Sequence, residues 1–125
     1  MTPATAVSRD LPHPTREEIR LECVLHALSD PLRLRIVRDL AVGGDGLFSC
    51  SYFDLPVTKS TSTHHFRVLR ESGVIRQVYQ GTAKMNGLRR DDLDALFPGL
   101  LDALLEAADR QAARLGSGPA PEAGA

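Results

Sequence analysis

One change of period in the middle of this chain restricts its fold more than any other feature. From Lys59 to Ser72 the apolar residues recur at helical spacing, and from Val74 onward that spacing gives way to a β-rich run. Gly73 stands at the change, where a helix ends most easily in a left-handed residue, and Thr58 stands where an N-cap is wanted. The β-rich run Val74-Ile75 and Val78-Tyr79, a turn at Gln80-Gly81-Thr82 and a second short strand around Lys84–Asn86 predict a hairpin. A helix that delivers its chain straight into a two-stranded ribbon is compatible with few architectures.

Two helices precede it. Thr15 and Glu18 have the spacing of a capping box, which predicts a first helix from Thr15 through Ile19, Cys23 and the Val24–Leu28 stretch. That helix is apolar over a wide arc, so it is either central or shared with a partner. Asp30-Pro31 opens a second helix with Leu32, Ile36, Val37 and Leu40 inward, and Gly43-Gly44 closes it. Residues 45–56 are poorly periodic, with at most a short helix near Cys50–Phe53. The segment from Arg90 to about Arg114 is helical, broken by Pro98 into a short helix ending near Phe97 and a new one beginning at Pro98. Its Leu93, Leu96, Phe97, Leu100, Leu101, Leu104 and Leu105 exceed what one protomer needs and argue for a partner surface. The fold class is mainly α with a small β-hairpin, in the order of a winged helix-turn-helix. We divide the chain into a flexible arm (1–13), the winged domain (14–115) and a disordered tail (116–125).

A length of 125 residues suits one domain, and 42% hydrophobic residues can fill its core without disulfide or metal staples. Two cysteines make no disulfide framework, and no segment has the length and apolarity of a membrane span, so a cytoplasmic setting is expected. The net charge of −1 conceals a cationic middle. Between Pro56 and Arg90 lie Lys59, Arg67, Arg70, Arg76, Lys84, Arg89 and Arg90 against the single acid Glu71, while the rest of the chain is acidic. A field concentrated in this way suits a polyanion.

The stretch Thr58–Gly73 carries the chemistry. On a helical wheel at about 100° per residue, Ser62, His65, Phe66 and Leu69 form a packing face. Ser60, Thr63, His64 and Arg67 form the opposite face, rich in hydroxyls, cationic and without a carboxylate. Short polar side chains let a helix backbone approach the major groove, and the free N–H groups of its first turn attract phosphate. The candidate DNA-binding residues are Thr58, Lys59, Ser60, Thr61, Thr63, His64, Arg67 and Arg70, with Lys84 reaching from the hairpin and Arg76 beside it. Double-stranded DNA is the expected partner, and the rival reading is a winged-helix protein-interaction module that does not bind DNA. A cationic stripe free of acids separates the two, because a protein-docking face would not need it.

Leu28-Ser29-Asp30-Pro31-Leu32-Arg33-Leu34-Arg35-Ile36-Val37 resembles the second-helix signature of ArsR/SmtB-type repressors. The run from Lys59 to Ile75 resembles the recognition helix of that family and its passage into the wing. The resemblance spans roughly residues 15–110. It implies a homodimer joined through the first and last helices, two recognition helices on a palindromic operator, and repression relieved by a signal. The family's familiar metal sites do not carry over. Ser49-Cys50-Ser51 holds one thiol where a Cys-x-Cys pair is common, and no histidine lies between Asp91 and Arg114. Thr82 follows Gly81 where arginine is usual in the wing.

The remaining reactive side chains read simply. Cys23 and His26 share a helix face; we expect Cys23 as a small buried hydrophobe, with a zinc site shared between twin helices as the alternative. Cys50 is a candidate redox-responsive thiol, and His65 is expected to pack beneath its helix. No glycine-rich phosphate loop occurs, and a Cys50–His64 dyad has no orienting acid, so no enzyme, cofactor or metal is expected. No residue pattern identifies an effector.

Overall fold

The computed structural model describes residues 11–53 and 55–116. Residues 1–10 of the expected arm and 117–125 of the expected tail lie outside the described residues. Five helices and a small antiparallel sheet follow in order: α1 (Leu21–Leu28), α2 (Pro31–Gly43), β1 (Phe48–Ser49), α3 (Lys59–Glu71), β2 (Ile75–Gln80), β3 (Ala83–Leu88), α4 (Arg90–Leu96) and α5 (Leu100–Leu115). Single 3-10 turns at Arg16–Glu18 and Cys50–Tyr52 complete the chain, the second where a short helix was expected.

Local chemistry explains most of the boundaries. Asp30 Oδ1 accepts from the N–H groups of Leu32 and Arg33 at 2.8 and 3.2 Å, and Pro31 supplies the first helical φ of α2. At the end of α3, the N–H of Val74 donates to the Leu69 carbonyl and that of Gly73 to the Arg70 carbonyl, at 3.0 and 3.1 Å. This pair is a Schellman motif, and it needs the left-handed residue that Gly73 provides at φ +88. A Cβ on Gly73 would also lie 2.5 Å from Cγ1 of Ile19, so the turn and the close approach select glycine together.

The first helix is split, which corrects the reading of one continuous helix from Thr15. The Thr15–Glu18 box forms, with the Thr15 N–H donating to Glu18 Oε1 at 2.9 Å, yet it closes only one 3-10 turn. The chain then extends at Ile19 (φ −70, ψ 130) and Arg20 (φ −111, ψ 135) before α1 begins. The extension turns Ile19 into the core above Gly73. Cys23, expected to be buried, is exposed on α1, because the inward positions are taken by Val24, Ala27 and Leu28. At the other end Pro98 and Gly99 both fall in the break, and α5 starts at Leu100 rather than Pro98, with Gly99 at φ +82.

The sheet has three strands, not two. Its order is β1-β3-β2, and β1 pairs Phe48 with Asn86 and Ser49 with Met85. Two residues are too few to leave a periodic signal. The hairpin turns on Gly81 and Thr82, with Gly81 at φ +65 as a type II′ turn requires at its first central position. Behind it, Val24, Ile36, Val37, Leu40, Phe66, Leu69, Val74 and Ile75 form one core between α1, α2, α3 and the sheet. Each such side chain contributes about 1.5–3 kcal/mol on burial. Among the described residues no helix is long and apolar enough to cross a membrane.

Candidate nucleic-acid interface

Helix α3 is anchored from below by apolar and polar contacts. Phe66 and Leu69 are buried, and Phe66 meets the ring of Phe53 at 5.4 Å between centroids. His65 is buried as a packing residue. Arg33 of α2, itself buried, holds it: Nη1 lies 3.2 Å from His65 Nδ1, while Nε donates to the Ala27 carbonyl at 2.7 Å. One guanidinium thus covers the C-terminal end of α1, where the helix dipole favours a cation, and fixes a residue of α3. Because arginine can only donate, Nδ1 of His65 is the acceptor and the ring is neutral. Burial depresses the His65 pKa below 6.5, with Arg33 and His64 adding to the effect and Asp30 opposing it.

The upper side of α3 is open. Lys59, Ser60, Thr61, Thr63, His64 and Arg67 are all exposed. Thr58 caps the helix, its Oγ1 accepting from the Thr61 N–H at 3.2 Å and lying 3.0 Å from the Thr61 hydroxyl. Its acceptor capacity is therefore spent partly on the helix itself. The first turn still presents N–H groups beside Lys59, with no acid in that turn.

Two residues depart from the grouping by charge. Arg70, grouped above with the DNA-facing cations, is buried and donates through Nη1 to Gln77 Oε1 at 2.6 Å. It lies one turn beyond Phe66 and about 40° from it at about 100° per residue, which puts it on the inner flank. Glu71 is exposed and falls within about 20° of Ser60 on the same wheel. The outward stripe therefore ends in a carboxylate, one turn past Arg67.

On the hairpin, Lys84 is half-buried and stands opposite Tyr79, its Nζ 6.0 Å from the ring centroid. Arg76 is exposed on β2. Both are on the wing rather than on α3, so they can meet a duplex only if hairpin and helix are held at a suitable angle. A buried link between these elements was not legible as a site: Gln77 Nε2 donates to Asn86 Oδ1 at 2.7 Å, and Gln77 also accepts from Arg70. The available signal was the alternation of β2, which turns Gln77 to the same face as Ile75. The N-terminal segment joins the same place, because the Gln77 N–H donates to Nε2 of His13 at 2.9 Å. His13 was expected in the flexible arm; this bond ties it to the edge of β2 instead. Burial lowers its pKa from 6.5, against the Leu11 carbonyl bond and with Arg70, Arg89 and Arg76 adding to the depression.

Among the described residues no group of three or more His, Cys, Asp or Glu side chains could hold a metal ion. Cys50 is half-buried with its Sγ 3.3 Å from Asn86 Nδ2.

No family model matches the chain. It is 36% identical over 90 residues to the uncharacterized HTH-type transcriptional regulator YceK of Bacillus subtilis (strain 168), a match that covers 70% of this chain and 88% of that protein. The ArsR-like transcriptional regulator from Rhodococcus sp. RHA1 superposes with a TM-score of 0.52 at 27% identity, over 75% of this chain and 88% of the other. A possible transcriptional regulator for arsenical resistance superposes with a TM-score of 0.50 at 25% identity, over 82% of this chain and the whole of the other.

Proposed function

Because this chain belongs to the ArsR-type helix-turn-helix transcriptional regulators, we propose that it is a homodimeric repressor that binds a palindromic operator through α3. One observation carries the reading. Lys59, Ser60, Thr61, Thr63, His64 and Arg67 face solvent together, while His65, Phe66 and Leu69 of the same helix are buried. Hydroxyls and Lys59 at the helix start contact phosphate and base edges, and His64 and Arg67 extend the contact by one and two turns. Thr58 acts chiefly by capping. Arg76 and Lys84 add phosphate contacts from the wing. Arg70 has no place on this surface.

Support for the dimer comes from the ends of the domain. Leu21 and Leu25 of α1 are each 43% exposed, and Leu115 at the end of α5 is 71% exposed, with Leu100, Leu104 and Leu105 half-buried nearer the start of that helix. Two copies joined through α1 and α5 cover this surface and present two recognition helices. Half-sites then lie about one helical turn apart, ~34–36 Å, or a multiple of it. Residues 14–115 form the working unit, and the setting is the cytoplasm, where the operator is. No catalytic step is assigned.

Selection of bound duplexes from a random pool with the purified protein tests the proposal. The expected result is a two-fold symmetric sequence whose affinity falls steeply with salt, by about 1,000-fold between 50 and 200 mM for about six neutralised phosphates. A pool that yields no symmetric sequence, or an affinity indifferent to salt, would return the protein to the reading of a protein-interaction module.

A further inference from the structure

Three polar side chains are enclosed between α3 and the sheet: Arg70, Gln77 and Asn86, which are 7%, 1% and 0% exposed. They form a directed chain. Arg70 donates to Gln77 Oε1 at 2.6 Å, Gln77 Nε2 donates to Asn86 Oδ1 at 2.7 Å, and Asn86 Nδ2 donates to the Phe48 carbonyl at 3.1 Å. Gln77 is held a third time through its main chain, by His13. One residue therefore connects the recognition helix, both strands of the wing and the N-terminal segment.

Stability alone does not account for this arrangement. Among the described residues Arg70 forms no ion pair with a carboxylate, and its Nε is buried with no hydrogen-bond partner. A buried cation without a counter-charge is costly, and apolar side chains of similar volume commonly fill such space equally well or better. Direction is what apolar contacts lack. The link from α3 to β2 is only Ser72, Gly73 and Val74, and the apolar packing of Phe66, Leu69 and Ile75 is non-directional. Two short bonds through a single amide are directional, because donor and acceptor must stay aligned.

We infer that Gln77 is a positioning residue: it fixes the angle between wing and recognition helix so that Lys84 and the outward face of α3 meet the same duplex. The inference rests on the DNA-binding function proposed above. The amide group suits both neighbours, since its oxygen accepts from Arg70 while its nitrogen donates to Asn86. A carboxylate keeps the first bond and cannot make the second. Gln77→Glu therefore leaves Arg70 a partner and cuts the link to β3. A second variant, Arg70→Met with Gln77→Leu and Asn86→Leu, removes the whole chain of bonds without stranding a charge. Whichever of the two keeps the wild-type circular dichroism carries the test.

The probe is the duplex recovered by selection with the wild-type protein, its affinity measured against salt by fluorescence anisotropy. In the wild type, Lys84→Ala lowers the slope of log K against log salt by about 1. In the Gln77 backgrounds Lys84→Ala leaves the slope unchanged, whereas Arg67→Ala costs the same fold-change as in the wild type. A general loosening of the fold would weaken both contributions and would overturn the inference. So would an undiminished Lys84 effect in those backgrounds. Lys84→Ala without effect in the wild type removes Lys84 from the interface, and the inference with it, but leaves the α3 contact standing. Failure of the wild type to retain any duplex overturns the functional reading itself, and this inference falls with it.

Discussion

The middle of the molecule and its two ends solve the burial problem differently. From α3 through β3 the large apolar side chains other than Tyr79 are buried or half-buried within the protomer, and the enclosed Arg70, Gln77 and Asn86 are bonded in a chain. In α1 and α5, by contrast, Leu21, Leu25 and Leu115 remain exposed on helices whose other faces are well packed. The middle is complete as one chain and presents charge outward. The ends are incomplete as one chain and present hydrocarbon. In the proposed function a second copy covers the ends and a polyanion meets the centre.

The largest expected effect breaks both regions at once. Gly73→Ala forces a side chain into a left-handed position and against Ile19, and should lower unfolding free energy by about 2–4 kcal/mol, read from urea denaturation. An unchanged midpoint would show that the α3–β2 junction is not constrained as described. Next, Leu25→Glu should separate the regions: the middle stays folded, sedimentation reports a monomer, and affinity for a two-half-site duplex falls about 100-fold, or about 2.7 kcal/mol. Retention of the dimer would remove α1 from the partner surface. Arg67→Ala acts on the middle alone and should cost about tenfold in affinity, about 1.4 kcal/mol, with no change in thermal midpoint because the side chain is exposed.

A pH titration probes the buried supports of the middle. His65 and His13 both have depressed pKa values in the folded protein, so below pH 6.5 the unfolded chain binds protons that the folded one resists. Stability is then full above about pH 6.5 and declines as pH falls through the folded-state values. The urea midpoint should be lower at pH 5.5 than at pH 7.5, and the difference should shrink in a His13→Gln, His65→Gln double variant. The smallest effect sharpens the outward stripe. Glu71→Gln removes its one carboxylate and should raise duplex affinity about threefold; a loss of affinity would make Glu71 a base contact instead.

Much of the fold was legible because it rests on local chemistry. Asp30-Pro31, Thr58 and Gly73 each mark a boundary through a cap or a left-handed residue, and the change of period located the hairpin. Two of the errors share a cause, which is that partners distant in sequence decided the outcome. Ile19 leaves the helical path to reach Gly73, and β1 exists only because β3 pairs with it. Arg70 and Glu71 are the instructive pair. Charge sign suggested that the cation faces DNA and the acid does not, while the wheel angle at about 100° per residue already assigned them the other way round. Gln77, hidden in an alternating strand, carried no chemical signature until Arg70 and Asn86 were seen on either side of it.

Chemical protection of the selected duplex shows which groove α3 enters. Dimethyl sulfate modifies guanine N7 in the major groove and adenine N3 in the minor groove. The expected result is guanine protection in two symmetric patches about one helical turn apart, lost from both patches in Arg67→Ala. Protection confined to adenine N3, or a single unpaired patch, would contradict it.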